Sequence, residues 1–193
     1  GNKESIIWQS AMTVNDHGPD LVEFLCQYYK NYRIVFKPYK NELEHVVEKY
    51  AKLLIKYDNF EISQVGSDYW SLYKKAKILI SDFSSTAYTF SLGVGRPVVF
   101  YSPNENKLPA DIRSKSYCKK RVEIGEIGQS LDDVVEKINS ILNNYEQCLE
   151  KAEKFRESNI KNPGNSSSVA ASAILNGYYE NNIPEEKIYH REV

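Results

Sequence analysis

A hydroxyl-rich turn follows an apolar run at residues 78–81 of this 193-residue chain. Ser84, Ser85 and Thr86 form this turn, which we call the hydroxyl turn, and Asp82 lies just before it. A helix that begins at such a turn has unpaired backbone N–H groups, and its dipole favours a negative charge there. The turn therefore predicts a phosphate or diphosphate site, with Asp82 orienting the hydroxyls or contacting a donor hydroxyl. Simple helix capping, with Asp82 as a turn residue, is the alternative.

Two other short segments carry groups that suit an anionic ligand. Lys37 and Tyr39 flank a proline after a second apolar run, and they offer a positive charge and a phenolic hydrogen-bond donor. His17 lies in a polar segment after the first apolar run, where it can donate to a phosphate or act as an acid or base. A solvated proline turn and an incidental loop histidine are the alternatives.

Residues 113–121 form a locally basic segment. Its basic residues are Arg113, Lys115, Lys119, Lys120 and Arg121. This segment can close over an anionic donor or meet an anionic acceptor, and a solvated charge run is the alternative. The serines at 166–168 open the last predicted helix and repeat the chemistry of an anion-accepting helix start, with capping as the simpler interpretation.

Alternating strands and helices must position these residues. Apolar runs predict strands at 6–9, 33–38 and 60–65, two more within 78–101, and a sixth at 121–127. Helical spacing predicts helices at 21–29, 42–57, 69–76, 130–157 and 166–179, and a short helix after the hydroxyl turn. Residues 102–120 show little periodicity and predict an irregular loop.

This alternation predicts an α/β fold with a doubly wound, Rossmann-like parallel sheet covered on both faces. Ligands bind such sheets at the carboxyl ends of the strands, near the point where the strand order reverses. We expect the loops with His17, Lys37 and the hydroxyl turn to meet there. One domain is expected over residues 1–180, with the last helix packing back across it and a polar tail at 181–193.

Composition narrows the class of protein. The formal net charge of −1 gives no sign of a nucleic-acid partner. Cys26, Cys118 and Cys148 lack CxxC spacing, which predicts reduced thiols in a cytoplasmic protein rather than disulfides or a zinc site. No cofactor-binding or metal-binding motif occurs, so no cofactor is predicted. No apolar run approaches the roughly 18 residues that a membrane-spanning helix needs.

One sequence pattern resembles a known family. The CDP-glycerol glycerophosphotransferases, polymerases of teichoic acids, have a two-domain GT-B fold. The hallmark of their C-terminal, nucleotide-binding half is a strand, an Asp-aromatic-Ser-Ser turn, a short helix, and a proline before an apolar strand ending in Phe-Tyr. The matching residues here are Asp82-Phe83-Ser84-Ser85 and Pro97-Val98-Val99-Phe100-Tyr101. Weaker similarity reaches the Asn-Pro-Gly-Asn-Ser-Ser turn at 162–167.

The resemblance implies that Ser84 and Ser85 hold the phosphates of CDP-glycerol or a related nucleotide-activated donor, and that Arg113 matches the arginine after the family's Phe-Tyr strand. It implies a cell-envelope polymer as acceptor, an N-terminal acceptor domain absent from this chain, and a place at the inner face of the membrane. The family usually has Arg-x-His-Pro after its second strand, whereas this chain has Lys37-Pro38-Tyr39 without the histidine. That departure allows another donor, such as a nucleotide sugar.

The leading hypothesis is therefore the donor-binding half of a GT-B transferase, inactive alone. An acceptor hydroxyl would attack the activated centre, while the hydroxyl turn and Lys37 stabilise the departing nucleotide phosphate. A nucleotide-sugar glycosyltransferase or epimerase is one alternative. A non-catalytic binding module, such as a response-regulator domain, is another, and it predicts an acidic cluster at the strand ends.

Overall fold

A computed structural model of the chain describes residues 4–9, 17–38, 43–63, 68–82 and 84–180. The chain divides into two compact units, Gly1–Arg156 and Glu157–Val193. The first unit holds a parallel sheet with its covering helices. The second contains a single described helix of its own together with the end of a helix that begins in the first unit.

The first unit is built on a six-stranded sheet in the order β3-β2-β1-β4-β5-β6, with every neighbouring pair parallel. The strands are β1 Ser5–Gln9, β2 Arg33–Phe36, β3 Phe60–Ile62, β4 Ala76–Ser81, β5 Val98–Tyr101 and β6 Gly125–Gly128. This is the strand order of the Rossmann fold, and it reverses between β1 and β4. The hydroxyl turn follows β4, so it lies beside that reversal.

The described residues form ten helices. They are α1 Gly18–Tyr28, α2 Leu43–Lys56, α3 Tyr69–Lys75, α4 Thr86–Val94, α5 Ala110–Ser114, α6 Ser116–Lys119, α7 Arg121–Ile124, α8 Leu131–Asn143, α9 Tyr145–Asn159 and α10 Ser166–Glu180. Asp68 caps α3 by accepting a hydrogen bond from the Trp70 N–H at 3.0 Å. Ser130 caps α8 by accepting from the Asp133 N–H at 3.1 Å. No helix among the described residues has the length and apolarity to cross a bilayer.

The two faces of the sheet carry separate apolar clusters. Successive strand residues point to opposite faces, so Ile6 packs in one cluster and Ile7 in the other. The first cluster lies under α1 and α8 and includes Phe36 and Tyr101. The second lies under α3 and α4 and includes Phe100. Both faces are therefore covered, which explains why the strands read as continuous apolar runs.

The prediction of an irregular loop at 102–120 is wrong, because this segment folds into a 3₁₀ turn at Glu105–Lys107 and the helices α5 and α6. The expected strand at 121–127 begins later, at Gly125, after the helical turn α7. A Cβ at Gly125 would lie 1.9 Å from the Val98 carbonyl oxygen, so the backbone at the start of β6 lies too close to β5 for a larger residue.

The single helix expected at 130–157 is also wrong, since α8 and α9 are separate helices. Asn144 lies between them with φ −122° and ψ 35°, outside the helical region. Its backbone N–H bonds to the carbonyl oxygens of Ser140 and Ile141, each at 3.2 Å, and its side-chain amide donates to Ser140 at 3.0 Å. The side chain thus competes for the carbonyl groups that a continuing helix would use.

Candidate functional site

The hydroxyl turn connects β4 to the first turn of α4. The Ser84 Oγ accepts a hydrogen bond from the Thr86 N–H at 3.2 Å, so Ser84 supports the start of the helix. Ser85 occupies the position before α4 with helical φ and ψ, and its side chain makes no capping hydrogen bond. Ser85 is exposed, and no bond of its hydroxyl to another described residue is found. Helix capping therefore accounts for Ser84 but leaves the Ser85 hydroxyl available to a ligand.

A cavity of about 190 Å³, which we call the Lys37 cavity, adjoins this helix start. It is lined by Lys37, Tyr69, Tyr73, Thr86 and Thr89. Lys37 directly follows β2, whereas Thr86 begins α4, so the cavity brings together two residues that are far apart in sequence. The lysine and one residue of the hydroxyl turn thus meet as the sequence predicts.

Lys37 is half-buried, and this burial lowers the pKa of its ammonium group. Within the described part of the chain, no carboxylate forms a salt bridge with it. A partly desolvated cation without an internal partner attracts an anion more strongly than a fully solvated one does. The Lys37 cavity therefore combines a cation, threonine hydroxyls and the positive end of a nine-residue helix.

Asp82 lies at the end of β4 and is 3% exposed. It has an interaction partner inside the protein. The neighbouring Ser81 hydroxyl is fully buried and has no hydrogen-bond partner among the described residues. Asp82 is thus inside the protein, just before the hydroxyl turn in sequence, rather than on the surface.

His17 occupies a different position from the Lys37 cavity. It lies directly before α1, with its ring centroid 6.5 Å from that of Tyr101 in an edge-on arrangement. Tyr101 belongs to the apolar cluster on the first face, whereas Tyr73 of the cavity belongs to the second. Burial, and then the charge of Asp20, raises the pKa of Tyr101. The structure therefore does not bring His17 to the cavity lining.

The two remaining predicted site residues are Tyr39 and Arg113, and Arg113 is not part of the cavity lining. Tyr39 lies outside the described residues. Arg113 is exposed on α5, where its backbone N–H bonds to the Pro109 carbonyl oxygen at 3.0 Å. Its charge contributes to lowering the pKa of Glu105. Arg113 thus lies near the segment that follows β5, and its role as a ligand-binding residue stays a prediction.

Arg121 differs from the other basic residues of its segment because it is 3% exposed. Its guanidinium forms two hydrogen bonds to the Glu105 carboxylate, at 3.0 and 2.6 Å, and a third to the Cys118 carbonyl oxygen at 3.0 Å. It also lies 5.6 Å from the centre of the Phe100 ring. Two expectations for the segment 113–121, contact with an anionic donor or acceptor and a solvated charge run, are therefore wrong for Arg121. A buried guanidinium needs a fixed partner, and Glu105 provides it.

Sequence reasoning missed three residues of the cavity lining, namely Tyr69, Tyr73 and Thr89. The signal that could have found them is helical spacing. Tyr69 and Tyr73 are four residues apart on α3, and Thr89 lies three residues after Thr86 on α4, so each pair shares one helix face.

The fold and the cavity define the class of this protein. A parallel sheet in the order 3-2-1-4-5-6, with an anion-favouring helix start beside the strand-order reversal, is typical of nucleotide-binding domains. The predicted doubly wound, Rossmann-like fold is thereby confirmed. Residues 20–176 match the family described as CDP-Glycerol:Poly(glycerophosphate) glycerophosphotransferase. The chain belongs to this family, as its sequence pattern suggested.

Known proteins resemble the chain in sequence and in fold. The minor teichoic acid biosynthesis protein GgaB of Bacillus subtilis strain 168 is 25% identical over 134 residues, which are 69% of this chain and 14% of GgaB. The wall teichoic acid polymerase TagF matches with a TM-score of 0.61 and 18% identity, covering 94% of this chain and 45% of TagF.

The UDP-GlcNAc 2-epimerase from Neisseria meningitidis, solved with UDP-GlcNAc bound, also has a TM-score of 0.61 and 18% identity. It matches 91% of this chain, which spans 45% of the epimerase. The chain thus spans less than half of each of these three proteins. Such low identities to the two solved structures establish a shared GT-B-type fold and nothing further.

Proposed function

We propose that this chain is the donor-binding domain of a transferase that uses CDP-glycerol or a related nucleotide-activated donor. The donor phosphates would lie at the hydroxyl turn and contact Lys37. The observation that carries this proposal is the Lys37 cavity, because it joins a cation with no salt bridge to any described residue to Thr86 at the start of α4. Phosphate is the ligand that this combination suits best.

The proposed reaction is displacement at the activated centre of the donor. An acceptor hydroxyl forms the new bond, and the bond to the nucleotide phosphate breaks, leaving negative charge on that phosphate. Lys37, the Ser85 hydroxyl and the start of α4 would stabilise this growing charge, which lowers the barrier. The proton of the acceptor hydroxyl would go to a base in an N-terminal acceptor domain outside this chain.

The names of related proteins support the donor and the acceptor class. TagF is described as a wall teichoic acid polymerase, and one structure of a TagF variant was soaked with CDPG. GgaB is described as a teichoic acid biosynthesis protein. We therefore propose a cell-envelope polymer as the acceptor.

A nucleotide-sugar donor is the second candidate. The observation that favours it is the run Lys37-Pro38 after β2, where the resembled family usually has Arg-x-His-Pro. The epimerase structure with UDP-GlcNAc bound shares this fold, so the same sheet can serve a sugar nucleotide. Under this proposal the phosphates would occupy the same position, and only the donor's other groups would differ.

Calorimetric titration with CDP, CMP, UDP and GDP tests the proposal. We expect CDP to bind, and Ser84→Ala/Ser85→Ala to weaken its binding about 10-fold, since a hydrogen bond to a charged group contributes about 1.5–3 kcal/mol. Ser167→Ala/Ser168→Ala is the matched control, because it removes two exposed hydroxyls from the start of α10.

The outcomes separate the candidates. Tight binding of CDP that depends on the hydroxyl turn supports the main proposal, whereas preference for UDP supports the nucleotide-sugar donor. A folded protein that binds none of the four nucleotides would contradict both. Equal loss of binding in the two double variants would contradict the assignment of the phosphates to the hydroxyl turn.

A further inference from the structure

An aromatic group on α3 borders the Lys37 cavity, and nothing in the phosphate site explains it. Tyr69 lines the cavity yet is 41% exposed, and its neighbour Trp70 is 37% exposed. The Tyr69 ring lies 5.1 Å from Trp70 and 5.5 Å from Tyr73, measured between centroids. A large aromatic ring that is partly exposed beside a phosphate site offers a flat surface to the nucleoside part of a nucleotide.

We propose that Tyr69 is the residue on which the donor's nucleobase stacks. The inference rests on the proposed function, because it requires the phosphates to lie beside Lys37 and Thr86. A nucleotide carries a charged group and a flat ring, and the cavity presents a cation and a flat ring. Stacking on tyrosine accepts any base, since every base has a π face. Tyr69 therefore contributes affinity for nucleotides as a class rather than preference for one base.

The environment of Tyr69 holds the ring in a fixed position. Tyr73 is 2% exposed and packs edge-on against Phe90 at 5.3 Å, which anchors one side of the group. Trp70 covers Gly93, where an added Cβ would lie 2.4 Å from the indole ring. Gly93 thus makes room for Trp70 in this position. A ring fixed in advance loses little conformational entropy when a ligand binds.

Two other roles for Tyr69 make different predictions. A purely structural role would bury the ring, but Tyr73 already covers the second apolar cluster while Tyr69 stays largely exposed. A role for the Tyr69 hydroxyl as a phosphate donor would need the oxygen rather than the ring. Tyr69→Phe keeps the ring and removes the oxygen, whereas Tyr69→Leu removes the aromatic surface.

Calorimetry with CDP, UDP and inorganic pyrophosphate tests this inference on the whole chain. We expect Tyr69→Leu to weaken CDP and UDP binding equally, about 10-fold, and to leave the affinity for pyrophosphate unchanged, because pyrophosphate has no base. Tyr69→Phe should bind CDP as the unmodified protein does. Tyr28→Leu is the matched control, since Tyr28 is an exposed tyrosine on α1 that packs against Phe24.

Trp70 supplies a second measurement that does not depend on affinity. A base stacked on Tyr69 would lie close to Trp70, so CDP should change the tryptophan emission, and Trp70→Phe should abolish that change. Three results would each overturn the inference alone: unchanged CDP affinity in Tyr69→Leu, equal weakening of CDP and pyrophosphate, or a loss in Tyr69→Phe as large as in Tyr69→Leu. An unmodified protein that binds no nucleotide would overturn the proposed function as well.

Discussion

Lys37 and Arg121 are both basic residues removed from full contact with water, but their surroundings differ. Arg121 is buried beside Phe100 and is held by two hydrogen bonds to Glu105 and two to Cys118. Lys37 is half-buried at the edge of a cavity, and no described carboxylate pairs with it. A cation that the protein itself neutralises stabilises the fold, whereas a cation left without a partner attracts an external anion.

The pKa shifts agree with this difference. Burial would raise the pKa of Glu105, but hydrogen bonds from Arg121 and Ser102, with the charges of Arg121 and Arg113, outweigh it and lower the pKa overall. The pKa of Arg121 is raised, because the same hydrogen bonds outweigh its own burial. Lys37 has only the effect of burial, which lowers its pKa. The Arg121–Glu105 pair thus favours the charged states, while the fold around Lys37 disfavours its charge.

The largest expected effect comes from removing Arg121. Arg121→Met leaves the Glu105 carboxylate partly buried without its partner, and breaking a buried ion pair costs about 3–5 kcal/mol. Because Glu105 keeps 20% exposure, we expect a loss near the lower limit, about 3 kcal/mol in the free energy of unfolding. Urea denaturation followed by circular dichroism measures this value.

Arg113→Met is the control for Arg121, since it removes an exposed basic residue of the same segment. It should change the free energy of unfolding by no more than about 0.5 kcal/mol. CDP affinity of the folded Arg121→Met protein should stay unchanged. Weaker CDP binding without a loss of stability would show that Arg121 contacts the ligand, and the contrast with Lys37 would fail.

The pH dependence of the free energy of unfolding gives a second test of the Arg121–Glu105 pair. The lowered pKa of Glu105 means that its ionised form stabilises the fold above the ordinary value of 4.5, and that this contribution disappears as the pH falls through the lower folded-state value. Glu105→Gln and Arg121→Met should both remove this part of the acid sensitivity.

Local sequence signals predicted much of the fold, while the pairing of charges depends on tertiary structure. Asp68 and Ser130 indicate where α3 and α8 begin, because a capping side chain forms its hydrogen bond with a backbone group close to it in sequence. Arg121 and Glu105 are 16 residues apart, and only the short helices between them bring the two side chains together. These helices have four or five residues each, so they show no hydrophobic period that a sequence could reveal.

The candidate site also combines features that the local sequence predicts with features that depend on tertiary structure. The hydroxyl turn was predictable because a helix start beside a strand end is a local feature, and Lys37 because it follows an apolar strand. The meeting of Lys37 with Thr86 required the strand order, which the general rule for parallel sheets provides. Helical spacing puts Tyr69 and Tyr73 on one face of α3, but which structure that face borders depends on how α3 crosses from β3 to β4.

A smaller effect is expected from removing the charge of Lys37. Lys37→Met should weaken CDP binding about 10-fold, because it deletes a charge-assisted contact to the donor phosphate. Lys37→Arg should retain much of the affinity, since it keeps the charge. Lys75→Met, which removes an exposed lysine at the end of α3, is the matched control and should bind CDP normally. Calorimetry under the same salt conditions measures all three, and equal affinity in Lys37→Met would remove Lys37 from the phosphate site.

The smallest expected effect has the opposite sign. A lowered lysine pKa means that the unfolded chain binds the proton more tightly than the folded protein does, so the charge of Lys37 costs stability at neutral pH. Lys37→Met should therefore raise the free energy of unfolding at pH 7 by about 0.5 kcal/mol. The gain should shrink as the pH rises from the lowered value towards the ordinary 10.5, because the unmodified protein then loses the costly charge.

Urea denaturation at pH 7 and pH 10 measures this change. Destabilisation by Lys37→Met at pH 7 would mean that the ammonium group has a stabilising partner inside the fold, as Arg121 has. Stabilisation together with weaker CDP binding would mean that the same charge opposes folding and favours the ligand. That pair of opposite signs is expected of a binding residue, because a ligand anion would supply the partner that no described residue supplies.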